Sequence, residues 1–196
     1  MTATPVFHPT SVASWRKWLE KNHQIHKAVW LVCYTKNAKK KSISWSDAVD
    51  VALCFGWIDS KKIKIDEETS HQFFSQRKKN STWSRINKNK VERLIESGRM
   101  AEAGLKSIEI ARQNGSWNLL DAVENLTIPE DLEKAFRQHK GTKQYFLTLS
   151  KSLKKMLLQW LVLAKRPETR QKRIDEIVAE AIQQKVPKPF SRTRNI

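Results

Sequence analysis

At Gly56 the hydrophobic period of this 196-residue sequence changes, and that change constrains the fold more than any other feature. Upstream the pattern is helical. Residues 11–22 place Val12, Trp15 and Leu19 on one helical face behind Ser11, a natural N-cap. Residues 45–55 turn Ala48, Val51, Ala52 and Phe55 inward behind Ser44, and Gly56 supplies the stop. Both faces of this second helix are apolar, which predicts a central position. Downstream the period is two: in WIDSKKIKID, 57–66, Ile63 and Ile65 alternate with Lys62 and Lys64. DEETS makes a turn and HQFFSQRK, 71–78, returns, so a β-hairpin with a loop of about four residues is expected. The apolar, β-branched run AVWLVCY, 28–34, reads as a buried strand that joins the hairpin in a small mixed sheet.

Beyond residue 81 the helical period returns. Ser84 caps a helix over 85–97 with Ile86, Val91, Leu94 and Ile95 expected inside, closed by Gly98. A helix over 102–114 carries Leu105, Ile108 and Ala111. Pro129 opens a helix to about His139, and Ser150 opens a strongly amphipathic one with Leu153, Met156, Leu157, Trp160 and Leu161. A final helix over 168–184 shows Ile174, Ile177, Val178, Ala181 and Ile182. The order helix–strand–helix–strand–strand, then helices, defines an α+β chain. Its expected parts are residues 1–115 with the small mixed or antiparallel sheet, a helical part over 116–186, and a loose basic tail over 187–196.

Charge narrows the function. The formal net charge is +17, and the excess is spread along the chain: residues 1–100 carry 19 Lys and Arg against 9 Asp and Glu, residues 101–196 carry 18 against 11. Such a field attracts anions, whether nucleic acid, acidic headgroups or phosphorylated metabolites, and repels cationic peptides at encounter. Eight Trp and seven Phe supply core pieces that a disordered chain of this charge lacks. Cys33 and Cys54 read as free, buried thiols of a reducing compartment. With no leader-like start and no apolar run of about 20 residues, the expected location is the cytoplasm.

One stretch concentrates the residue types of a binding site. Trp57, Asp59 and Lys61 fall at one strand end, and Arg77 and Lys78 emerge beside them from the returning strand. Trp83, Ser84 and Asn87 follow at a helix N-terminus, where unpaired N–H groups favour anions. Between 77 and 90 there are six basic side chains and no acidic one. Arg77 suits a bidentate grip on phosphate or carboxylate, the tryptophans suit stacking on a flat ring, and Asp59 is the one candidate general base. Each part also has a plain structural use: tryptophan as core, Ser84 and Asn87 as a cap.

The same residues carry a resemblance. ALCFGWIDSKK (52–62), RKKNSTWSRIN (77–87), GRMAEAG (98–104) and the C-terminal AKRPETRQKRI (164–174) resemble the YdeI/OmpD-associated protein family, whose helical end is often named for bacteriocin protection. Gln76 stands where family members usually carry proline before Arg-Lys. The resemblance implies a bacterial, intracellular protein linked to outer-membrane porins and peptide resistance, and implies no mechanism.

Other signals are weaker. His23 and His26 stand three apart with no carboxylate or cysteine to complete a metal set, and no metal or cofactor is expected. There is no GxSxG, P-loop or GxGxxG. KRPETRQKR, 165–173, reads as a solvated helix face paired through Glu168 and Asp175. Three functions remain. One is binding of a small anionic, possibly aromatic ligand at the Trp57–Asn87 cluster, and another is non-specific nucleic-acid binding by a basic surface. A stress-related interaction factor is a third. Nothing in the sequence demands catalysis.

Overall fold

The serines that precede apolar runs do start helices. In the computed structural model, which describes residues 3–35 and 37–191, Ser11 and Ser14 form a reciprocal capping box at the head of α1 (Val12–Asn22). Ser44 accepts from the Asp47 N–H at the head of α2 (Trp45–Cys54), and Ser84 from the Asn87 N–H at the head of α3 (Arg85–Glu96). The chain divides into two units, Met1–Trp117 and Asn118–Ile196.

In the first unit, β1 (Val6–Phe7), β2 (Ala28–Tyr34), β3 (Trp57–Lys64) and β4 (Thr69–Gln76) form one sheet in the order β1-β2-β4-β3. β1 runs parallel to β2, and the other neighbours are antiparallel, so the sheet is mixed and the unit is α+β. Residues of the expected hairpin pair in register, Ile58 with Ser75 and Ile63 with His71. β1 was not anticipated: two residues have no period, and only their pairing with Trp30 and Leu31 reveals them.

One face of the sheet is core. Val29, Leu31, Phe74 and Trp57 are fully buried on it beside Trp15 and Leu19 of α1. The Trp15 indole N–H donates to the Ala48 carbonyl at 3.0 Å. Six of the ten residues of α2 are buried, as a central helix requires. α3 differs from expectation. Ile86 is 66% exposed and Ile95 is exposed as well, while Lys90 is buried. A buried ammonium needs partners, and Lys90 has them: it pairs with the Asp50 carboxylate of α2 and donates to the Ser46 hydroxyl at 2.8 Å.

α4 (Glu102–Gln113) sits directly on the end of α2. The Ala101 N–H donates to the Cys54 carbonyl at 3.0 Å, and a Cβ on Gly104 would lie 2.2 Å from that same oxygen. Gly104 is therefore buried where Leu105, expected inside, is exposed. Gly56 has φ +71°, a left-handed conformation that glycine adopts without strain.

The second unit is helical. It comprises α5 (Asp121–Glu124), α6 (Glu130–Arg137), α7 (Thr142–Thr148), α8 (Lys151–Val162) and α9 (Pro167–Ile182). Leu132, Phe136, Phe146, Leu157, Leu161, Ile174 and Ile177 make its core. The short helices α5 and α7 fall where no expectation was made or only connections were expected. Arg170 of the basic 165–173 stretch pairs with Asp131 through two bonds, at 2.5 and 2.9 Å, rather than with a residue of its own helix. The expected loose tail begins with a 3-10 turn over Lys188–Phe190, and Phe190 packs edge-on against Trp160 at 5.4 Å. Residues 192–196 of that tail lie outside the described residues. No helix among the described residues is long and apolar enough to cross a membrane.

Candidate functional site

The hairpin brings Arg77 beside Trp57. The Arg77 N–H donates to the Gly56 carbonyl at 2.9 Å, one step beyond the Trp57–Gln76 pair. From there its guanidinium folds over Trp83, with Cζ 3.6 Å from the ring centroid, and Nη1 donates to the Thr82 carbonyl at 3.1 Å. Burial pushes the Arg77 pKa down to about 10, with the Asp59 charge pulling the other way, so the side chain stays cationic at neutral pH. Trp83 in turn tilts against Trp117 at 4.9 Å.

Two N–H groups in this region are orphaned. Among the described residues, Nε of Arg77 and Nε1 of Trp57 are buried with no acceptor. Asp59 faces outward enough to accept from the Trp45 indole at 2.9 Å, and Trp45 is more than half exposed. Ser84 and Asn87 meet in the cap of α3. The Lys78 N–H donates to the Ser81 hydroxyl at 3.1 Å, and the residue is exposed. Trp57 and Trp83 are thus core residues, and Arg77 is laid along the core's edge. Among the described residues, surface clefts of about 940, 720, 430 and 380 Å³ are lined by other residues and by none of the expected site residues.

Lys61 goes elsewhere, because the β3–β4 register shifts between Asp59 and Lys62. Such a bulge re-aims a side chain. Buried Gln72 holds it, donating to the Ser60 and Lys61 carbonyls at 3.1 and 3.3 Å. The Lys61 ammonium lies 5.3 Å from the Trp30 ring and 5.6 Å from the Phe73 ring, on the face of the sheet away from the core. Trp30 and Phe73 are a cross-strand pair with ring centroids 4.8 Å apart, and His71 lies 6.4 Å from Trp30 on the same face. The rings are half-buried, flanked by exposed Val6 and Ile63.

This outer face was missed in the sequence. AVWLVCY reads as a continuous apolar run, and the signal inside it is that Trp30 alternates with buried Val29 and Leu31. Cys54 donates to the Asp50 carbonyl, and burial pushes its thiol pKa up, as befits a structural cysteine. His23 contacts the Leu19 carbonyl through Nδ1, and His26 stacks near Trp18. Among the described residues no three His, Cys, Asp or Glu side chains gather as metal ligands.

The chain belongs to the family described as Domain of unknown function (DUF8412), which matches residues 7–107. Residues 125–184 match a second family, described as Bacteriocin-protection, YdeI or OmpD-Associated, which bears out the resemblance carried in part by residues 164–174. Searches of curated proteins and of solved structures return no match to the chain.

Proposed function

We infer that the first unit binds nucleic acid through phosphate contacts. The observation that carries this reading is the way the unit disposes of its charges. Three of its carboxylates are engaged within the unit: Asp50 by Lys90, Asp59 by the Trp45 indole, and Asp66 by the backbone N–H groups of Glu68 and Thr69. Its cations face outward. Lys61, Lys62, Lys78 and Lys79 are all exposed, while in the 77–90 stretch Arg77 and Lys90 turn inward and Lys88 lies over the Trp117 ring. A surface of this kind draws a polyanion by releasing its counterions. On this reading the protein acts in the cytoplasm.

A salt titration of a labelled mixed-sequence oligonucleotide tests the reading. Affinity falls steeply and log-linearly with salt, and replacing Lys78 and Lys79 by Gln lowers the slope by about 2. Absence of binding near physiological ionic strength overturns it.

The two buried N–H groups of Trp57 and Arg77 favour a second reading, a small anionic ligand at that cluster. It predicts that a nucleotide or aromatic carboxylate raises the melting temperature of the first unit, and that Arg77→Lys abolishes the shift. Protection against bacteriocins, the description attached to the second unit's match, would be tested by survival of producing cells under bacteriocin challenge, with an unchanged kill curve counting against it.

A further inference from the structure

We propose that the outer face of the sheet is a stacking platform for single-stranded nucleic acid, with Trp30 and Phe73 receiving unpaired bases and Lys61 meeting the backbone. This rests on the nucleic-acid reading above and names the form of nucleic acid the surface selects.

The argument starts from the alternation of β2 and β4. Side chains on successive residues point to opposite faces, so the strands that bury Val29, Leu31, Gln72 and Phe74 must present Trp30, His71 and Phe73 on the other side. Rings on that side are only half-buried, although tryptophan and phenylalanine gain most from complete burial. The neighbouring positions are also apolar and open: Val6, paired with Trp30 across β1–β2, is 57% exposed, and Ile63, paired with His71, is 40% exposed.

A bare apolar face fits several partners, and charge decides between them. The cation over the rings is there because a bulge, pinned by a buried glutamine, puts it there. Lys62 and Lys64, paired with Gln72 and Ser70, point to the opposite face, so Lys61 is the cation of this strand that the bulge brings over the rings. Two half-buried rings with an ammonium group beside them match a polymer that alternates flat apolar faces with negative charge. Duplex nucleic acid does not, because its bases are already stacked on one another and show a protein only their edges. A single strand offers both, and base–aromatic stacking is tolerant of sequence.

The experiment compares one short mixed-sequence DNA strand with the same sequence as a duplex, by anisotropy, on the full chain. The wild type binds the single strand more tightly. Trp30→Leu with Phe73→Leu weakens single-strand binding about tenfold or more and leaves the duplex unchanged, whereas Trp30→Phe, which keeps a ring, preserves the preference. Equal affinity of the wild type for both forms, or equal loss on both in the variant, overturns the platform and leaves the nucleic-acid reading standing. No binding of either form removes both. A readout that needs no variant is photocrosslinking of a bromouracil-containing strand to the wild type: crosslinks in peptides 28–34 or 69–76 support the platform, and crosslinks confined to other peptides overturn it.

Discussion

Lys90 and Asp50 show how much a single position can hide. On the sequence alone, Lys90 belongs with the basic run of 77–90 and reads as surface. In the structure it is buried between α2 and α3, with Ser46 completing its bonds and Arg93 reaching Asp50 from outside at 3.5 Å. Removing one partner strands the other charge in a place with little water. Asp50→Ala, which strands the Lys90 ammonium, is therefore expected to cost the first unit about 3–5 kcal/mol, and Lys90→Met less, since Arg93 still faces the Asp50 carboxylate and the stem's packing is kept. Urea denaturation followed by tryptophan fluorescence reads this cleanly, because seven of the eight tryptophans lie in the first unit. Equal losses in the two variants would refute the asymmetry. The pair was illegible in one dimension because its partners lie 40 residues apart. The helical period instead pointed to Ile86, which occupies the exposed side of the same helix.

At the scale of elements, the caps and the hairpin were the legible part. Ser11, Ser44, Ser84 and Ser150 each begin the helix that their position implied, because a cap acts within four residues and its signal is wholly local. β1, α5 and α7 were not legible, being too short to show a period. The GRMAEAG run was legible as a motif, yet its reason is tertiary: Ala101 donates to the last carbonyl of α2, Gly104 leaves room for that oxygen, and Gly98 ends α3 with φ +64°. Gly104→Ala forces its methyl into the Cys54 carbonyl, where backbone cannot yield, and should destabilise the first unit by about 1–3 kcal/mol or more. The variant Gly115→Ala is the comparison. That glycine has open space but a φ of +77°, so its loss comes from backbone strain alone and should be near 1 kcal/mol. The candidate site was legible to the same degree. Trp57, Arg77 and Trp83 do gather, since the hairpin that joins them is local. The burial of Trp57 and Trp83 depends on packing against distant helices, and the displacement of Lys61 to the opposite face on a bulge, neither of which the sequence announces.

For the whole molecule the governing fact is two separate buried clusters, one drawn entirely from residues up to Trp117 and the other from Leu120 onward. Each unit has its own apolar interior, so a fragment of residues 118–196 expressed alone is expected to retain its helical circular dichroism and melt cooperatively. A non-cooperative, unfolded fragment would show that the second core is insufficient. The second unit also carries a pH signature. The bidentate bond from Arg170 holds the Asp131 carboxyl below its ordinary value, with the Leu132 N–H adding to it. A depressed carboxylate contributes stability that is present above its unfolded pKa and is lost as pH falls from about 4 through the folded value. Acid melting of the fragment should therefore steepen below about pH 4, and Asp131→Asn should flatten that limb. The pair is partly exposed, so the effect is modest and weakens in salt.

The seam between the clusters has a meaning for heredity as well. The two family matches end at residue 107 and resume at 125, on either side of the boundary at Trp117–Asn118. A gene cut there and rejoined to another would carry away an intact interior in each piece. The halves of this chain are thus free to have separate ancestries, and each can be inherited, lost or recombined without the other.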